Sequence, residues 1–522
     1  MLRPTVARCL TAYHSNMDAR RDVVEYGLRR WIIVLGVMLA PLMETIDSSI
    51  VNVALPTIQG NLGATLDESA WIITGYLVAN VIVIPLTPWL QTRFGRRQYF
   101  TATVIGFTVV SVLCGLSGSI DELIVLRIMQ GLFGGGLIAT AQATLRDTFT
   151  TAEAGLGQGV FAVVILVGPI IAPMLGGYLV DAASWQWIFF INVLPGAISA
   201  FVVATMLRNP TEPEAAKVDV GGIVLLTLAL GGLQFVLEEG ERRDWFDSGS
   251  IVIAAALSAL STAAFVGWEL FGTVAPIVDL RILRYRTVWV GVLLAGGIAA
   301  TLFGTTFVLP QYTQNVLGFT AFGSGELLLF RALPIMVLAP LVAGLVGAGR
   351  VDVRAAMGTG YLLTAIGSFL IAGATTSMTS FQELLPGLVI GGLGTAMLFI
   401  PLLIAVQTST SADDAPKASS FITLAFQLGG SIASAILVTM IDRRAEFHTQ
   451  VLGANLTPAR AVVRDALTTA SPQQLIGLVA AQAQTLAFAD LAYAVAALAA
   501  ILIPLVFLLT RSQHTIAEVT FE

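Results

Sequence analysis

Three ionisable residues lie inside apolar segments of this chain, where a membrane span rarely carries charge. Glu44 and Asp47 fall in the first apolar segment, and Arg127 falls in the fourth. An ionisable side chain near the centre of a bilayer costs roughly 3 kcal/mol or more, so it usually faces a protein interior or a water-filled path. Acidic groups beside a guanidinium can exchange a proton for a cation, and this chemistry points to transport.

The spacing of these residues predicts that they meet at one depth. Glu44 and Asp47 are three residues apart and share one helix face. At about 1.5 Å per residue, Asp47 lies roughly 24 Å above the inner boundary near Trp31, and Arg127 lies roughly 8 Å below the outer boundary. Burial disfavours a charged carboxylate and a nearby arginine favours it, so a proton and a cationic substrate would compete for the site. A static ion pair between the first and fourth spans is the alternative.

Fourteen apolar segments must position these charges. Of the 522 residues, 56% are hydrophobic and only 11% are charged, and the mean hydropathy of +0.84 is typical of a membrane protein. A span needs about 20 apolar residues. The hydropathy pattern predicts spans at residues 31–53, 71–90, 99–118, 122–144, 157–180, 187–207, 219–238, 249–269, 287–309, 325–346, 355–375, 383–407, 418–440 and 487–510.

The distribution of basic residues predicts the orientation of the chain. Predicted inner loops and tails contain 19 lysine and arginine residues, whereas predicted outer loops contain 6. Because basic loops stay on the cytoplasmic side, we expect both termini to be cytoplasmic. The predicted parts are a cytoplasmic tail (1–30), an N-terminal six-helix bundle (31–207), two additional helices with linkers (208–286), a C-terminal six-helix bundle (287–510) with an outer loop (441–486), and a cytoplasmic tail (511–522).

Several classes of function are disfavoured by the positions of reactive residues. Cys9 and Cys114 are too far apart to predict a disulfide, and the three histidines fall outside the spans, which disfavours a metal cluster. Neither lysine sits in a phosphate-binding glycine loop. We therefore expect an ion gradient as the driving force, with no cofactor. No basic cluster suggests a nucleic-acid partner, and no cleavable signal precedes the first span, so either Met1 or Met17 is the expected start.

The first span and the loop after the second span carry a recognisable pattern. The acidic pair is followed by SSIVNVALP, and a Gly-Arg-Arg loop follows the second span. This pattern resembles the major facilitator superfamily and, within it, the fourteen-span drug:proton antiporters of the EmrB/QacA type. The resemblance implies an all-α integral membrane fold of two six-helix bundles plus two extra central helices. It also implies proton-coupled export of small amphipathic or cationic compounds across the inner membrane.

Two later spans carry motifs similar to those of the same family. Arg127, Gln130 and Gly131 match an Arg-x-x-Gln-Gly pattern in the fourth span. The fifth span resembles the exporter-associated motif, in which a Gly-Pro is followed by a Gly-Gly pair. Such residues would kink the helix and admit a closely packed neighbour, and a purely packing role is the alternative. The motif consists of Gly168, Pro169, Pro173, Gly176 and Gly177.

The inner loop after the second span resembles the gating loop of the family. Pro88 stands where that loop usually begins with glycine, and Thr92 replaces its usual acidic residue. Without the acidic residue, the network of charges that closes the inner gate in the family is incomplete here. The preference of cytoplasmic loops for basic residues explains the arginines equally well. The matching residues are Arg93, Gly95, Arg96 and Arg97.

A second charged position lies in the tenth span. Arg331 is about 9 Å below the outer boundary, and Glu326 near its mouth can pair with it, either structurally or as a second coupling site. A cavity with aromatic walls would suit amphipathic cations. The candidate lining residues, which ordinary packing would also explain, are Tyr76, Asn80, Gln130, Phe303, Phe307, Gln311, Phe399 and Gln427.

The predicted outer loop 441–486 is unusually long. Thr457-Pro458 and Ser471-Pro472 are typical of helix starts, which predicts a helical hairpin outside the membrane. In similar inner-membrane pumps this region faces a periplasmic adaptor that joins an outer-membrane channel, and a lid is the alternative. Expected partners are thus an amphipathic small molecule, membrane lipid and such an adaptor. A proton-coupled symporter or facilitator of a small nutrient, or a non-transporting membrane sensor, are the alternative functions.

Overall fold

A computed structural model describes residues 24–150, 153–209, 218–273, 276–411, 414–457, 460–461, 463–464 and 471–510. Met1, Met17, Pro458 and the predicted C-terminal tail lie outside these residues, as does most of the 208–218 linker. Within the described ranges every regular element is helical. In this described part of the chain, fourteen helices are long and apolar enough to cross a membrane, numbered α1 to α14: Gly27–Leu62, Glu68–Phe94, Arg96–Leu116, Ile120–Thr148, Leu156–Ala182, Trp187–Met206, Val220–Glu239, Gly249–Gly272, Arg286–Asn315, Gly323–Gly347, Val353–Ala374, Phe381–Thr408, Ala415–Gly453 and Pro472–Val506.

Each of the fourteen predicted spans corresponds to one of these helices. The all-α membrane fold with two bundles and two extra central helices is thereby confirmed. Below, the inner end of the molecule means the end that carries the loop between α2 and α3, and the outer end is the opposite one. Local breaks fall at Pro85 in α2, which lies in a 3-10 turn, and at Gly135–Gly136 in α4.

The interior of the N-terminal bundle (α1–α6) has two apolar clusters with polar residues between them. Met43 on α1 belongs to the inner cluster with Tyr76 and Phe107. Ile50, two turns further along α1, belongs to the outer cluster with Phe189. Glu44 and Asp47 therefore lie along α1 between two water-excluding layers.

The two bundles meet along α5 and α10, which pack closely at both ends. A Cβ added at Gly159 near the inner end would lie 2.6 Å from the backbone Cα of Pro340. A Cβ at Gly325 near the outer end would lie 2.8 Å from Met174 Cβ. Small residues allow this approach, as is common between membrane helices. One apolar cluster runs from α5 across the contact into the C-terminal bundle (α9–α14).

The extra helix α7 bridges the bundles at the outer end. Glu239 on α7 accepts a hydrogen bond from Thr74 of α2 at 2.9 Å. Gln234, one turn below, donates to Ser431 of α13 at 2.7 Å. At the inner end, α13 instead contacts α2 directly. The outer part of α7 thus separates α2 from α13 while bonding to both.

The outer hairpin differs from its prediction. The sequence predicts spans at 418–440 and 487–510 and, between them, a helical hairpin with helix starts at Thr457 and Ser471. In the structure α13 continues unbroken to Gly453 and α14 begins at Pro472. No proline or glycine interrupts residues 441–452, so the helix has no reason to end at the membrane surface. The predicted helix start at Ser471 is confirmed, since its hydroxyl accepts a hydrogen bond from the backbone N–H of Gln474.

Candidate ion-coupling site

Asp47 lies at the centre of a buried polar network in the N-terminal bundle. Its carboxylate is fully buried and accepts hydrogen bonds from three side chains. Arg127 Nη1 on α4 lies 2.5 Å from Oδ2, and Gln130 Nε2 on the same helix lies 2.9 Å from Oδ1. Asn192 Nδ2 on α6 lies 2.9 Å from Oδ1. Helices α1, α4 and α6 are therefore joined through one carboxylate.

Arg127 is as fully engaged as its carboxylate partner. Its Nε donates to the backbone oxygen of Ile72 on α2 at 3.1 Å, and Nη1 also donates to Gln130 Oε1 at 2.7 Å. The guanidinium stacks over the Tyr76 ring, 4.1 Å from its centroid. Because a buried charge needs a counterion and hydrogen bonds, this arrangement holds Arg127 in a fixed position.

Glu44 lies one turn below Asp47 in a different environment. It is 4% exposed, and its Oε1 accepts a hydrogen bond from Asn80 Nδ2 of α2 at 3.0 Å. Its other oxygen, Oε2, is buried without a hydrogen-bond partner, and no cation among the described residues forms an ion pair with this carboxylate. The two acidic residues thus lie one turn apart on α1, and among the described residues only Asp47 is neutralised by a basic side chain.

Glycines in α4 bring this helix close enough to α2 to assemble the site. A Cβ added at Gly131 would lie 2.3 Å from the backbone oxygen of Tyr76, and one at Gly135 would lie 2.3 Å from that of Asn80. Any larger residue would push the helices apart. The close approach places Arg127 within reach of the α2 backbone.

The predicted cavity residues separate into two groups. Tyr76, Asn80 and Gln130 belong to the buried charge network. The aromatic residues of the C-terminal bundle instead form a chain across the seam: Phe399 lies 6.5 Å from Phe161 of α5 and 5.0 Å from Phe426, which lies 6.1 Å from Phe303 (ring centroids). The half-buried members of the set in the C-terminal bundle are Phe303, Phe307, Gln311 and Gln427.

The suggested pairing of Arg331 with Glu326 is wrong. Arg331 is buried and donates to the backbone oxygen of Leu302 at 3.3 Å and to Thr395 Oγ1 at 3.3 Å, whereas Glu326 is exposed. Five residues on a helix correspond to a rotation of about 140° beyond a full turn, so the two side chains point in different directions. Among the described residues no carboxylate pairs with this arginine.

The loop between α2 and α3 has no acidic residue of its own, and helix α4 supplies one. Arg96 pairs with Asp147 at the inner end of α4 at 2.6 Å and also donates to Gln91 at 3.2 Å. Gly95 has φ +82°, a conformation that favours glycine. Arg97 donates through its backbone to Asn209 at 2.8 Å. The remaining member, Arg93, lies over the Phe94 ring.

The exporter-like motif packs α5 against α1 beside the charge network. A Cβ at Gly168 would lie 2.3 Å from Thr45 Oγ1, and one at Gly176 would lie 2.7 Å from Ile50 Cγ1. Gly177 is half-buried on the same helix. Helix α5 runs unbroken through Pro169 and Pro173. The motif therefore allows close contact with the helix that carries Glu44 and Asp47.

Two residues of these networks were not predicted. Asn192 lies 145 positions from Asp47 in the sequence, and an asparagine near a span terminus is an ordinary membrane-interface residue. Asp147 follows an arginine at the end of the fourth span. The Arg96–Asp147 pair could have been predicted from the sequence, because Asp147 is an acidic residue at the inner end of a span, on the same side as the basic loop.

Fourteen membrane helices around a buried charged network form the architecture of an integral membrane transporter. The family model described as Major Facilitator Superfamily matches residues 37–436. The chain belongs to the major facilitator superfamily.

Relatives of known designation align over most of the chain. The multidrug export protein EmrB of Escherichia coli (strain K12) is 32% identical over 435 residues, which are 83% of this chain and 84% of that protein. The fatty acid resistance protein FarB of Neisseria gonorrhoeae is 31% identical over 446 residues, 85% of this chain and 87% of that protein. The structure of the human organic anion transporter MFSD10 (TETRAN) has a TM-score of 0.57 at 15% identity, covering 91% of this chain and 100% of that one, a likeness of fold.

Proposed function

We propose that this chain is a multidrug efflux protein that exports small amphipathic compounds in exchange for protons. Relatives designated as a multidrug export protein and as a fatty acid resistance protein support export of small molecules. The proposed location is the cell inner membrane with both termini in the cytoplasm, as the distribution of basic residues favours. The proposed driving force is the proton gradient, with no cofactor and no enzymatic step.

The contrast between Glu44 and Asp47 is the observation that carries this proposal. Asp47 has its counterion in Arg127. Among the residues that the structure describes, Glu44 accepts a hydrogen bond only from the Asn80 amide, and its buried Oε2 has no hydrogen-bond partner. An ionised carboxylate buried without a cation costs several kcal/mol, so Glu44 requires either a proton or a positively charged ligand. We assign Glu44 as the group that alternates between the two, and the Asp47–Arg127 pair as its fixed support.

Exchange follows because both ligands use the same oxygens. A proton that arrives from the outer side neutralises Glu44 and removes its attraction for a bound cation, which then leaves outward. When the site opens inward, a new cation displaces the proton into the cytoplasm. This cycle requires the two bundles to open alternately around the site, as in other two-bundle transporters.

The test is proton movement in energised inside-out vesicles that contain the protein. Addition of ethidium should alkalinise the acidic lumen, because each exported cation exchanges for protons. Glu44→Gln should abolish this alkalinisation and weaken ethidium binding, because the neutral amide resembles the protonated carboxyl, and the exposed Glu446→Gln should behave like the wild type. Acidification of the lumen would support the symporter, and no proton movement with any ligand would support the sensor.

The outer hairpin is the proposed contact for a periplasmic adaptor that leads to an outer-membrane channel. Helices α13 and α14 both continue beyond the predicted membrane boundary. Their outer parts expose the apolar side chains of Phe447, Val451 and Ile476. Exposed apolar residues outside a membrane favour a protein partner. A lid over the outer opening is the alternative role.

A further inference from the structure

Three buried polar atoms at Glu44 and its neighbours on α2 have no hydrogen-bond partner among the described residues. They are Oε2 of Glu44, Oδ1 of Asn80 and the hydroxyl of Tyr76, and none of the three side chains is more than 4% exposed. Buried polar atoms are nearly always hydrogen-bonded, so three in one region are exceptional. When Glu44 is ionised, all three atoms can accept a hydrogen bond, and only the tyrosine hydroxyl can also donate one.

Helices α1, α2 and α4 bring these atoms together. Asn80 Nδ2 donates to Glu44 Oε1 at 3.0 Å, which leaves the amide oxygen for another donor. Tyr76 lies one turn from Asn80 on the same face of α2. Gly134 on α4 faces both residues, because a Cβ added there would lie 3.1 Å from Asn80 Nδ2 and 3.2 Å from the Tyr76 hydroxyl. The glycine therefore leaves a hollow between α2 and α4, bordered by Glu44, Tyr76 and Asn80.

The charges around this hollow favour one cation. Arg127 and Asp47 neutralise each other in a 2.5 Å ion pair, so ionised Glu44 gives the network one net negative charge. The guanidinium of Arg127 lies over the Tyr76 ring, 4.1 Å from its centroid. Aromatic faces are a common recognition element for quaternary ammonium groups, but this face is already covered. Tyr76 therefore offers a ligand its hydroxyl, and the hollow recognises charge together with hydrogen-bond donors.

We propose that the hollow binds the N–H groups of a protonated amine, so that the preferred substrates are primary ammonium compounds. A primary ammonium group has one positive charge and three hydrogen-bond donors, which match the charge of Glu44 and the three unpartnered acceptors. A quaternary ammonium group has the charge but no N–H, so it leaves buried acceptors without partners. This inference rests on the proposed export function and names the substrate class that its site prefers.

The experiment compares naphthylethylammonium with its N,N,N-trimethyl derivative, which share one aromatic group and one charge but differ in N–H donors. Binding of each tritiated probe to full-length protein in lipid nanodiscs is measured by scintillation proximity at neutral pH. The wild type should bind the primary amine roughly a hundredfold more tightly, as expected for two or more hydrogen bonds to a charged group. The N,N-dimethyl compound keeps one N–H, so its affinity should fall between the two.

Tyr76→Phe tests the hydroxyl while keeping the ring that contacts Arg127. It should weaken binding of the primary amine roughly tenfold, because one hydrogen bond to a charged group is lost. Binding of the trimethyl compound, which cannot donate to the hydroxyl, should change little.

Tyr99→Phe is the matched control. The Tyr99 hydroxyl is also buried without a hydrogen-bond partner among the described residues, but it faces Gly136, nearer the inner end of α4 than Gly134. This variant should bind both probes as the wild type does. Equal melting temperatures would show that both variants remain folded, as expected when the deleted hydroxyl has no partner to lose.

Equal binding of the primary and trimethyl compounds by the wild type would overturn the amine site, and would mean that the three atoms bond to water instead. Unchanged binding of the primary amine in Tyr76→Phe, the same loss in Tyr99→Phe, or a wild type that binds neither probe would overturn it as well. Ethidium-driven proton movement in vesicles is scored separately. If that movement occurs without a preference for the primary amine, the amine site fails and the export function stands. A preference without proton movement would mean that the export function fails.

Discussion

Asp47 and Glu44 are one helical turn apart, but substitution of each removes a different kind of interaction. Asp47 receives its hydrogen bonds from α4 and α6 and holds three helices together. Glu44 receives one hydrogen bond, from α2. Stability should therefore depend mainly on the first carboxylate, and proton exchange on the second.

Asp47→Asn should destabilise the protein strongly, because it leaves the buried charge of Arg127 without a counterion. Removing one partner of a buried ion pair costs about 3–5 kcal/mol. Glu44→Gln should leave the melting temperature unchanged or raise it, since a neutral amide replaces a carboxylate that has no cation. Thermal unfolding of the purified variants in one detergent measures both. Equal destabilisation by the two substitutions would contradict the division of roles.

The charged residues of the coupling site were predictable because each is an anomaly in an apolar segment. Glu44, Asp47 and Arg127 stand out because an ionisable side chain inside a bilayer has a high free-energy cost. Asn192 carries no such cost at the end of a span, so only the folded chain reveals its contact with Asp47. The error at Arg331 arose from counting depth along a helix without counting rotation around it.

At the scale of elements, α7 is more than a spacer between the bundles. Its outer end bonds to α2 through Glu239 and to α13 through Gln234. The turn that follows it places Glu241 against Asp442 of α13. Burial, together with the hydrogen bond and repulsion from Asp442, raises the pKa of Glu241 above its ordinary value. We therefore expect the outer contact between α7 and α13 to depend on pH.

The sign of this sensitivity follows from the direction of the shift. A carboxyl whose pKa is raised in the folded state destabilises the fold when ionised, and this cost disappears as pH falls through the raised pKa. Glu241→Gln should raise the melting temperature at neutral pH and reduce its increase on mild acidification. Melting curves at neutral and mildly acidic pH measure the effect, with Glu446→Gln as the exposed control. If the melting temperature of Glu241→Gln changed with pH as that of the wild type does, the role assigned to Glu241 would be wrong.

The number and order of the helices followed from hydropathy, but their lengths did not. A bilayer-based estimate ends each span where apolar residues end, whereas a helix ends only where its backbone is broken or capped. Helix α13 continues to Gly453, and α14 starts at the cap formed by Ser471. Contacts between helices, such as Gly131 against Tyr76, depend on shape that no single segment encodes.

At the scale of the whole molecule, the contact between α5 and α10 determines which side can open. Gly159 meets Pro340 at the inner end, and Gly325 meets Met174 at the outer end. Each end must separate in its turn if the bundles expose the site alternately. The inner contact is between backbones, so an added methyl group cannot be accommodated by rotating a side chain.

Gly159→Ala should therefore shift the protein towards an inward-open state. Overpacking of this kind costs about 1–3 kcal/mol, enough to change the ratio of open to closed molecules by roughly fivefold or more. The opening can be followed by maleimide labelling of Ser420→Cys, which lies in a small cavity between α2, α4, α12 and α13 at the inner end. The introduced cysteine is the reporter thiol, because Cys114 is buried and Cys9 can be replaced by serine. Labelling should be faster, and export slower, when Gly159→Ala is added. Gly344→Ala on α10 is the control, since a Cβ there meets no atom within 4 Å. Equal labelling rates of Ser420→Cys with and without Gly159→Ala would mean that the α5–α10 contact does not control access from the inner side.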